Sequence, residues 1–152
     1  MSNKIIYSGI FFLETGGKKG QPPLHVTYDY NLAQSILPIG IKEGQPADVY
    51  IYGMCCAADM NALACYTHFG EDNKELLKFQ RLAHSASPRY GHDIPLHITL
   101  TNGKHKAPVQ AGITLARYMN ESYKQVPNMD GYVKLSNLVK WTGIWGFHTS
   151  TQ

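Results

Sequence analysis

The sequence predicts an α+β fold, because several short stretches alternate apolar and polar residues as strands do, while two longer stretches repeat apolar residues at helical spacing. Its 152 residues suffice for one domain with a substantial core and are too few for two ordinary domains. Apolar residues make up 43% and charged residues 16%, which is typical of a folded globular protein and excludes a disordered or coiled-coil chain. We therefore treat residues 1–152 as a single domain.

Five segments predict strands, because they are rich in β-branched and aromatic residues and are bounded by Gly, Pro or Asn. The first is followed by a Gly/Lys/Pro loop, TGGKKGQPP, and the third and fourth are close enough to predict a hairpin. The five segments are KIIYSGIFFLE (4–14), PLHVTYDY (23–30), ADVYIYGMCC (47–56), NALACYTHF (61–69) and PLHITLTNG (95–103).

Two further segments predict helices. In residues 72–86, Asp72 stands three residues before Glu75 as a capping pair, and the leucines that follow recur at roughly helical spacing. In residues 108–123, Pro108 occupies a permitted first-turn position ahead of a similar pattern. The tail, residues 131–152, is ambiguous between the two kinds of structure.

The charge of the chain limits the class of ligand, and its cysteine content limits the cellular compartment. The net charge of +3 and a pI near 8.7 suit a small anionic ligand, but the dense Lys/Arg face of a duplex-binding domain is missing. No stretch of 18 apolar residues or leader pattern occurs, so we expect no membrane contact and no secretion.

The three cysteines form a poor disulfide framework and favour a reducing cytoplasm. Cys65 and His68 have a spacing that a metal could use, but no second such pair follows, so we predict no metal and no cofactor.

The most informative feature is a repeated pentapeptide, PLHVT at 23–27 and PLHIT at 95–99. The period of two in a strand sends His25 and Thr27 to one side, and His97 and Thr99 likewise, while the intervening aliphatic residue points to the core. If the two strands lie near each other, four polar side chains converge on one site.

Such a set suits phosphodiester cleavage without a metal. A neutral imidazole can take the proton of an attacking hydroxyl while an imidazolium gives one to the leaving oxygen, because the histidine pKa of roughly 6.5 allows both forms near neutrality. The two Thr hydroxyls can donate hydrogen bonds to the non-bridging phosphate oxygens. A lone histidine on a strand is more often structural, so the case depends on the duplication.

These paired motifs resemble those of the 2H phosphoesterase superfamily, whose members carry two H-x-[ST] motifs on strands. Much of the chain is also similar to the anti-CBASS cyclic-oligonucleotide phosphodiesterases of T4-like bacteriophages. The resemblance implies a compact bilobal α+β fold, with antiparallel sheets lining a central cleft and helices outside. It assigns the catalytic roles to His25, Thr27, His97 and Thr99.

The resemblance also implies a function. It predicts metal-independent hydrolysis of 3′–5′ linkages in cyclic di- and trinucleotide immune signals such as 3′,3′-cGAMP, through 2′-OH attack and a 2′,3′-cyclic phosphate. Such an enzyme works in the cytoplasm of the infected bacterial host and lets the phage evade CBASS immunity. Two alternatives stay open: a 2H enzyme acting on RNA ends with a 2′,3′-cyclic phosphate, and a non-catalytic sponge that binds the cyclic nucleotide.

Substrate-binding candidates surround the motifs. Tyr7, Trp141 and Trp145 offer rings on which a nucleobase can stack, although each also suits core packing. Lys18 and Lys19 lie between glycines just before the first motif and can close over an anion or stay solvated. His148, in FHTS, fits His-x-Ser but has no Pro-Leu before it, so we interpret it as accidental. The remaining histidines lack strand context; they are His68, His84, His92 and His105.

Overall fold

Strands dominate the computed structural model. It describes residues 4–15, 23–30, 33–57, 60–70, 74–82, 94–102, 115 and 131–150. The strands are β1 (Lys4–Phe11), β2 (His25–Tyr30), β3 (Pro46–Ala57), β4 (Met60–Phe69), β5 (Glu75–Leu77), β6 (Arg81–Leu82), β7 (His97–Asn102) and β8 (Gly131–Ser150), with a 3-10 turn at Leu13–Thr15.

Six of the strands close into an antiparallel barrel. Their order is β1-β8-β3-β4-β7-β2, and a further pairing of β2 with β1 closes the ring. Two short strands lie outside it: β5 pairs with β4, and β6 runs parallel to β2. Closure leaves the six strands without an open edge, which removes the liability that an unpaired strand carries.

The core fills the barrel. Alternate residues of each strand point inward, and the largest buried side chain is Trp145 of β8. Partly buried residues, among them Tyr28 and Trp141, pack against this cluster. Its buried members are Ile10, Phe12, Val26, Ala47, Val49, Ile51, Cys65, Leu96, Ile98 and Trp145.

The predicted strands are all present, and the predicted hairpin is confirmed by the β3–β4 pairing. The ambiguous tail forms β8, the longest strand at 20 residues, which pairs with β1 on one side and β3 on the other. Its Trp, Ile, Val and Tyr residues have the propensity for this conformation. A strand of this length ties both halves of the chain into one ring.

The predicted α+β, bilobal architecture with sheets lining a cleft and helices outside is wrong. Among the described elements, the only helical one is the three-residue 3-10 turn Leu13–Thr15. The strands form one closed barrel instead of two lobes. The described residues hold no helix long and apolar enough to cross a membrane. The sequence predicted the individual strands correctly, because the pattern of a strand is local. It did not predict how they assemble, because barrel closure depends on the long-range pairing of β1 with both β2 and β8.

The helix predicted over 72–86 is also wrong over its described part. Leu76 and Leu77 lie in β5, which forms a ladder on β4 through pairs such as Thr67 with Leu77. Leu76 and Phe79 are 44% and 47% exposed, so the apolar spacing does not bury a helical face. Hydrogen bonds offered by β4 override the local pattern here. Of the helix predicted over 108–123, the described residues include only Leu115, which is helical and buried.

Candidate functional site

The two copies of the pentapeptide lie on adjacent strands. β2 and β7 pair antiparallel, with Val26 opposite Ile98. This register places His25 across from Thr99 and Thr27 across from His97. The two histidines are diagonal neighbours, and residues in such a pair are roughly 7–8 Å apart, with their Cβ atoms somewhat closer. A phosphate group fits between two imidazoles at that separation, so the condition that the sequence left open is met.

All four polar side chains lie on the outer face of the barrel. Val26 and Ile98 are 1% and 0% exposed and belong to the inner cluster. Because neighbouring residues in a strand point to opposite sides, the residues flanking them point outward. We call the patch formed by His25, Thr27, His97 and Thr99 the His/Thr face.

Each histidine is held by the proline of its own pentapeptide. The Nδ1 of His97 lies 2.8 Å from the Pro95 carbonyl oxygen, and the Nδ1 of His25 lies 3.1 Å from that of Pro23. A carbonyl oxygen only accepts, so Nδ1 carries the hydrogen in both rings. The neutral tautomer therefore leaves the Nε2 lone pair free. This bond gives the repeat a physical purpose, since it fixes the orientation and the tautomer of each ring and leaves Nε2 as the nitrogen that can act as a base.

Burial lowers the pKa of both imidazoles. Desolvation lowers the pKa of His97, the Pro95 carbonyl opposes this by raising it, and the nearby His25 lowers it further. The pKa of His25 is likewise lowered by burial, raised by the Pro23 carbonyl and lowered by His148. His97 is 7% exposed, whereas His25 is only partly buried. His25 thus acts on the pKa of His97, as expected for diagonal neighbours on paired strands.

Aromatic rings surround His25. The Tyr7 ring centroid lies 4.8 Å from that of His25, and the Phe11 ring stacks on His25 at 5.6 Å. Gly9 lies between Tyr7 and Phe11 on β1, where a Cβ would overlap the Val26 carbonyl oxygen, so no larger residue is tolerated. Burial raises the pKa of Tyr7 to about 12, with Tyr30 adding to the effect. Its phenol therefore stays protonated and able to donate a hydrogen bond.

His148 is the residue that sequence reasoning missed. It pairs with Tyr7 across β8 and β1, and the two ring centroids are 4.9 Å apart. Tyr7 thus contacts both His148 and His25, and His148 acts on the pKa of His25. The signal was present in the FHTS motif, but its relevance depends on β8 returning beside β1. The interpretation of FHTS as an accidental match did not anticipate this position beside Tyr7.

Small residues occupy the opposite side of the His/Thr face. Ala64 pairs with His97 and Ala62 with Thr99 across β4 and β7. Both alanines are fully buried and pack with Cys55 and Leu115. Short side chains here leave the His97 ring without a bulky neighbour on β4. The histidines thus have different surroundings, with aromatic rings around His25 and methyl groups beside His97.

Of the five residues predicted to bind substrate, the described part of the structure places only Tyr7 beside the His/Thr face. Tyr7 lies beside His25, as described. Trp145 is 2% exposed in the barrel core and meets Tyr28 edge-on, and Trp141 packs edge-on against Phe12. Both tryptophan rings thus belong to the inner cluster and not to the His/Thr face. Lys18 and Lys19 lie outside the described residues.

The Cys65 and His68 spacing does not form a metal site. Cys65 points into the barrel at 0% exposed, whereas His68 is exposed on β4. Burial also raises the pKa of the Cys65 thiol, which disfavours the thiolate that a metal would need. Among the described residues, no group of three or more His, Cys, Asp or Glu side chains is arranged around a common centre.

Comparison with known proteins adds no family to this picture: no family model and no curated protein matches the chain.

Proposed function

We propose that this protein is a phosphodiesterase that cleaves 3′–5′ linkages of small cyclic oligonucleotides, using His25 and His97 as acid and base and no metal. The observation that carries the proposal is the pair of prolyl carbonyl bonds, which leave an Nε2 available on each of two adjacent imidazoles. Activity depends on a site and not on a fold, so the barrel architecture does not weigh against a 2H-type mechanism.

The proposed reaction proceeds by two in-line steps. The Nε2 of one histidine removes the proton of the ribose 2′-OH, and the 2′-oxygen attacks phosphorus. The P–O5′ bond breaks, and the second histidine, as imidazolium, transfers its Nε2 proton to the departing O5′. This gives a 2′,3′-cyclic phosphate and a 5′-hydroxyl, and leaves the protonation states of the two histidines exchanged. Water can then open the cyclic phosphate with the roles reversed.

Thr27 and Thr99 complete the site. In the β2–β7 register each Thr lies directly across from the histidine of the other motif. Its hydroxyl can donate to a non-bridging oxygen of a phosphate held between the imidazoles. The nearly symmetric arrangement matches a reaction in which attack and departure occur on opposite sides of phosphorus.

Charge and surroundings favour a small ligand. The net charge of +3 attracts an anion but is modest for a protein that follows a long backbone. The rings of Tyr7 and Phe11 beside His25 provide apolar surface next to the reacting phosphate. A cyclic di- or trinucleotide combines a compact anion with flat bases. We therefore favour such signals, 3′,3′-cGAMP among them, over polymeric RNA.

The test is turnover under excess substrate. The protein is incubated with an excess of 3′,3′-cGAMP in a strong chelator, beside His25→Ala, His97→Ala and the exposed-site control His68→Ala. We expect linear product from the wild type and the control only, with folding of each variant verified by circular dichroism. Stoichiometric binding without cleavage would support a sponge. Activity lost in chelator and restored by zinc would contradict the metal-free mechanism, and cleavage restricted to RNA 2′,3′-cyclic phosphate ends would move the substrate there.

A further inference from the structure

A cavity of about 530 Å³ adjoins the His/Thr face. This size lies within the range of small-molecule sites, roughly 300–1,000 Å³. Its walls come from β1, from β8, from the segment before β2 and from the turn before β3, and they include Phe11, Pro23, Glu43, Ile144, Gly146 and His148. The proposed reaction uses none of these side chains directly.

The cavity shares its wall with the surroundings of His25. The Phe11 ring that lines it stacks on the His25 imidazole, and the Pro23 carbonyl holds the His25 Nδ1. His148, on β8, also lines the cavity and contacts Tyr7 of β1. A nucleotide whose phosphate lies between the two histidines therefore has this cavity within reach of its base.

Glu43 gives the cavity its chemical character. Of the described residues that line it, Glu43 alone carries a carboxylate, while Phe11 and Ile144 are apolar. A carboxylate repels a phosphate and accepts hydrogen bonds, so the cavity suits a neutral group that presents donors. Flat apolar walls suit an aromatic ring. A nucleobase with donors on one edge meets both conditions.

The turn that carries Glu43 is firmly placed. The Gln45 amide donates to the Lys42 carbonyl at 3.1 Å, and Gly44 has φ of +89°, the pattern of a type II turn. The Gly44 amide donates to the Trp145 carbonyl at 2.7 Å, and the Trp145 amide donates to Gln45 at 2.9 Å. Two bonds to β8 thus fix the position from which Glu43 meets the cavity.

We propose that this cavity is the base-binding subsite of the substrate and that Glu43 selects guanine. Guanine presents N1–H and the N2 amino group side by side, which match the two oxygens of one carboxylate. Adenine presents an acceptor at N1, which the carboxylate repels. The inference rests on the proposed function for the identity of the ligand, but its test does not require turnover.

Gly146 forms the floor of the subsite. Among the residues that the structure describes, a Cβ added there meets the Phe11 ring alone, at 3.6 and 3.8 Å, which is ordinary contact. Gly146 therefore accepts a side chain without a clash of its Cβ. A leucine at this position extends into the cavity and reduces the room for a base, whereas an alanine tests the backbone change alone.

The experiment is calorimetric titration of cyclic di-GMP and cyclic di-AMP into a His97→Gln protein, in which the proposed mechanism predicts binding without cleavage. We expect cyclic di-GMP to bind more tightly. Glu43→Gln should weaken cyclic di-GMP binding by about 10- to 100-fold, the value of a hydrogen bond to a charged group, and leave cyclic di-AMP unchanged. Glu75→Gln, an exposed carboxylate on β5, is the matched control. Gly146→Leu should weaken both ligands, and Gly146→Ala should weaken neither.

Equal affinity for the two ligands, equal weakening of both by Glu43→Gln, or no binding of either would overturn the inference. The two proposals fail separately. A wild-type protein that shows the expected binding pattern but no turnover retains the subsite and loses the phosphodiesterase. A wild-type protein that cleaves both dinucleotides alike, with Glu43→Gln neutral, retains the phosphodiesterase and loses the subsite.

Discussion

The two pentapeptide copies have the same local geometry in different surroundings. In both, the histidine Nδ1 donates to a prolyl carbonyl two residues before it, and the threonine lies on the same face. His97, however, is 7% exposed beside the methyl group of Ala64, whereas His25 is partly buried among Tyr7 and Phe11. The repeat thus fixes the orientation of the rings, and their neighbours determine how each ring responds to protons and to ligand.

Loss of either imidazole should give the largest effect. We expect His25→Ala and His97→Ala each to slow cleavage by roughly 10²–10⁴-fold, because each removes one proton transfer. The double variant should be little slower than the worse single one, because acid and base act as a unit. Single-turnover rates measure this. Independent, multiplying losses would mean that the two copies do not serve one site.

Loss of either threonine hydroxyl should give the second-largest effect on the cleavage rate. Thr27→Val and Thr99→Val keep the shape of the side chain and remove the donor, for which roughly 10²-fold in kcat is typical. Thr→Ser at the same positions should restore most of the rate, because the hydroxyl returns. A Ser variant as slow as Val would show that packing of the γ-methyl group, and not hydrogen bonding, is the role of these residues.

The lowered pKa values of both histidines predict how stability depends on pH. The folded protein takes up protons less readily than the unfolded chain, whose histidines titrate near pH 6.5. The stabilisation that comes from keeping these rings neutral is therefore present in full above about pH 6.5 and is lost as the pH falls toward their folded pKa values. Urea unfolding at pH 7.5 and 5.0 should show a larger loss for the wild type than for His97→Gln. Equal losses would contradict the desolvation of His97.

His148 gives the smallest predicted effect and the sharpest test of the difference between the copies. It lowers the pKa of His25, but no such effect is resolved on His97. His148→Gln should therefore raise the pKa of His25 and move one limb of the pH–rate profile to higher pH. Ring titration by NMR follows each histidine separately, with His68→Gln as control. An unchanged His25 pKa would mean that His148 has no electrostatic part in the site.

The sequence predicted the strands that carry the site, because period-two alternation and propensity are local signals. The residues of the His/Thr face followed from the duplication of PLHxT alone. The prolyl carbonyl bonds were not predicted, although Pro23 and Pro95 were noted, since a hydrogen bond to a main-chain atom leaves no mark on residue type. Their function becomes visible only with backbone geometry.

Long-range pairing explains the rest of what the sequence could not give. Barrel closure requires β1 to contact both β2 and β8, and no local pattern encodes that choice. The same pairing brings His148 to Tyr7 and sends the rings of Trp141 and Trp145 to the core. The predicted helix over 72–86 failed for a related reason, since β4 offered its leucines a ladder.

The most direct test compares 3′,3′-cGAMP with an analogue that lacks the 2′-hydroxyl next to the scissile linkage. Affinity is measured by titration, and cleavage by chromatography of single-turnover reactions in chelator. If the two imidazoles transfer protons around an attacking 2′-oxygen, the analogue binds with similar affinity and stays intact, while the natural ligand gives a 2′,3′-cyclic phosphate. Cleavage of the analogue at that linkage would contradict the mechanism.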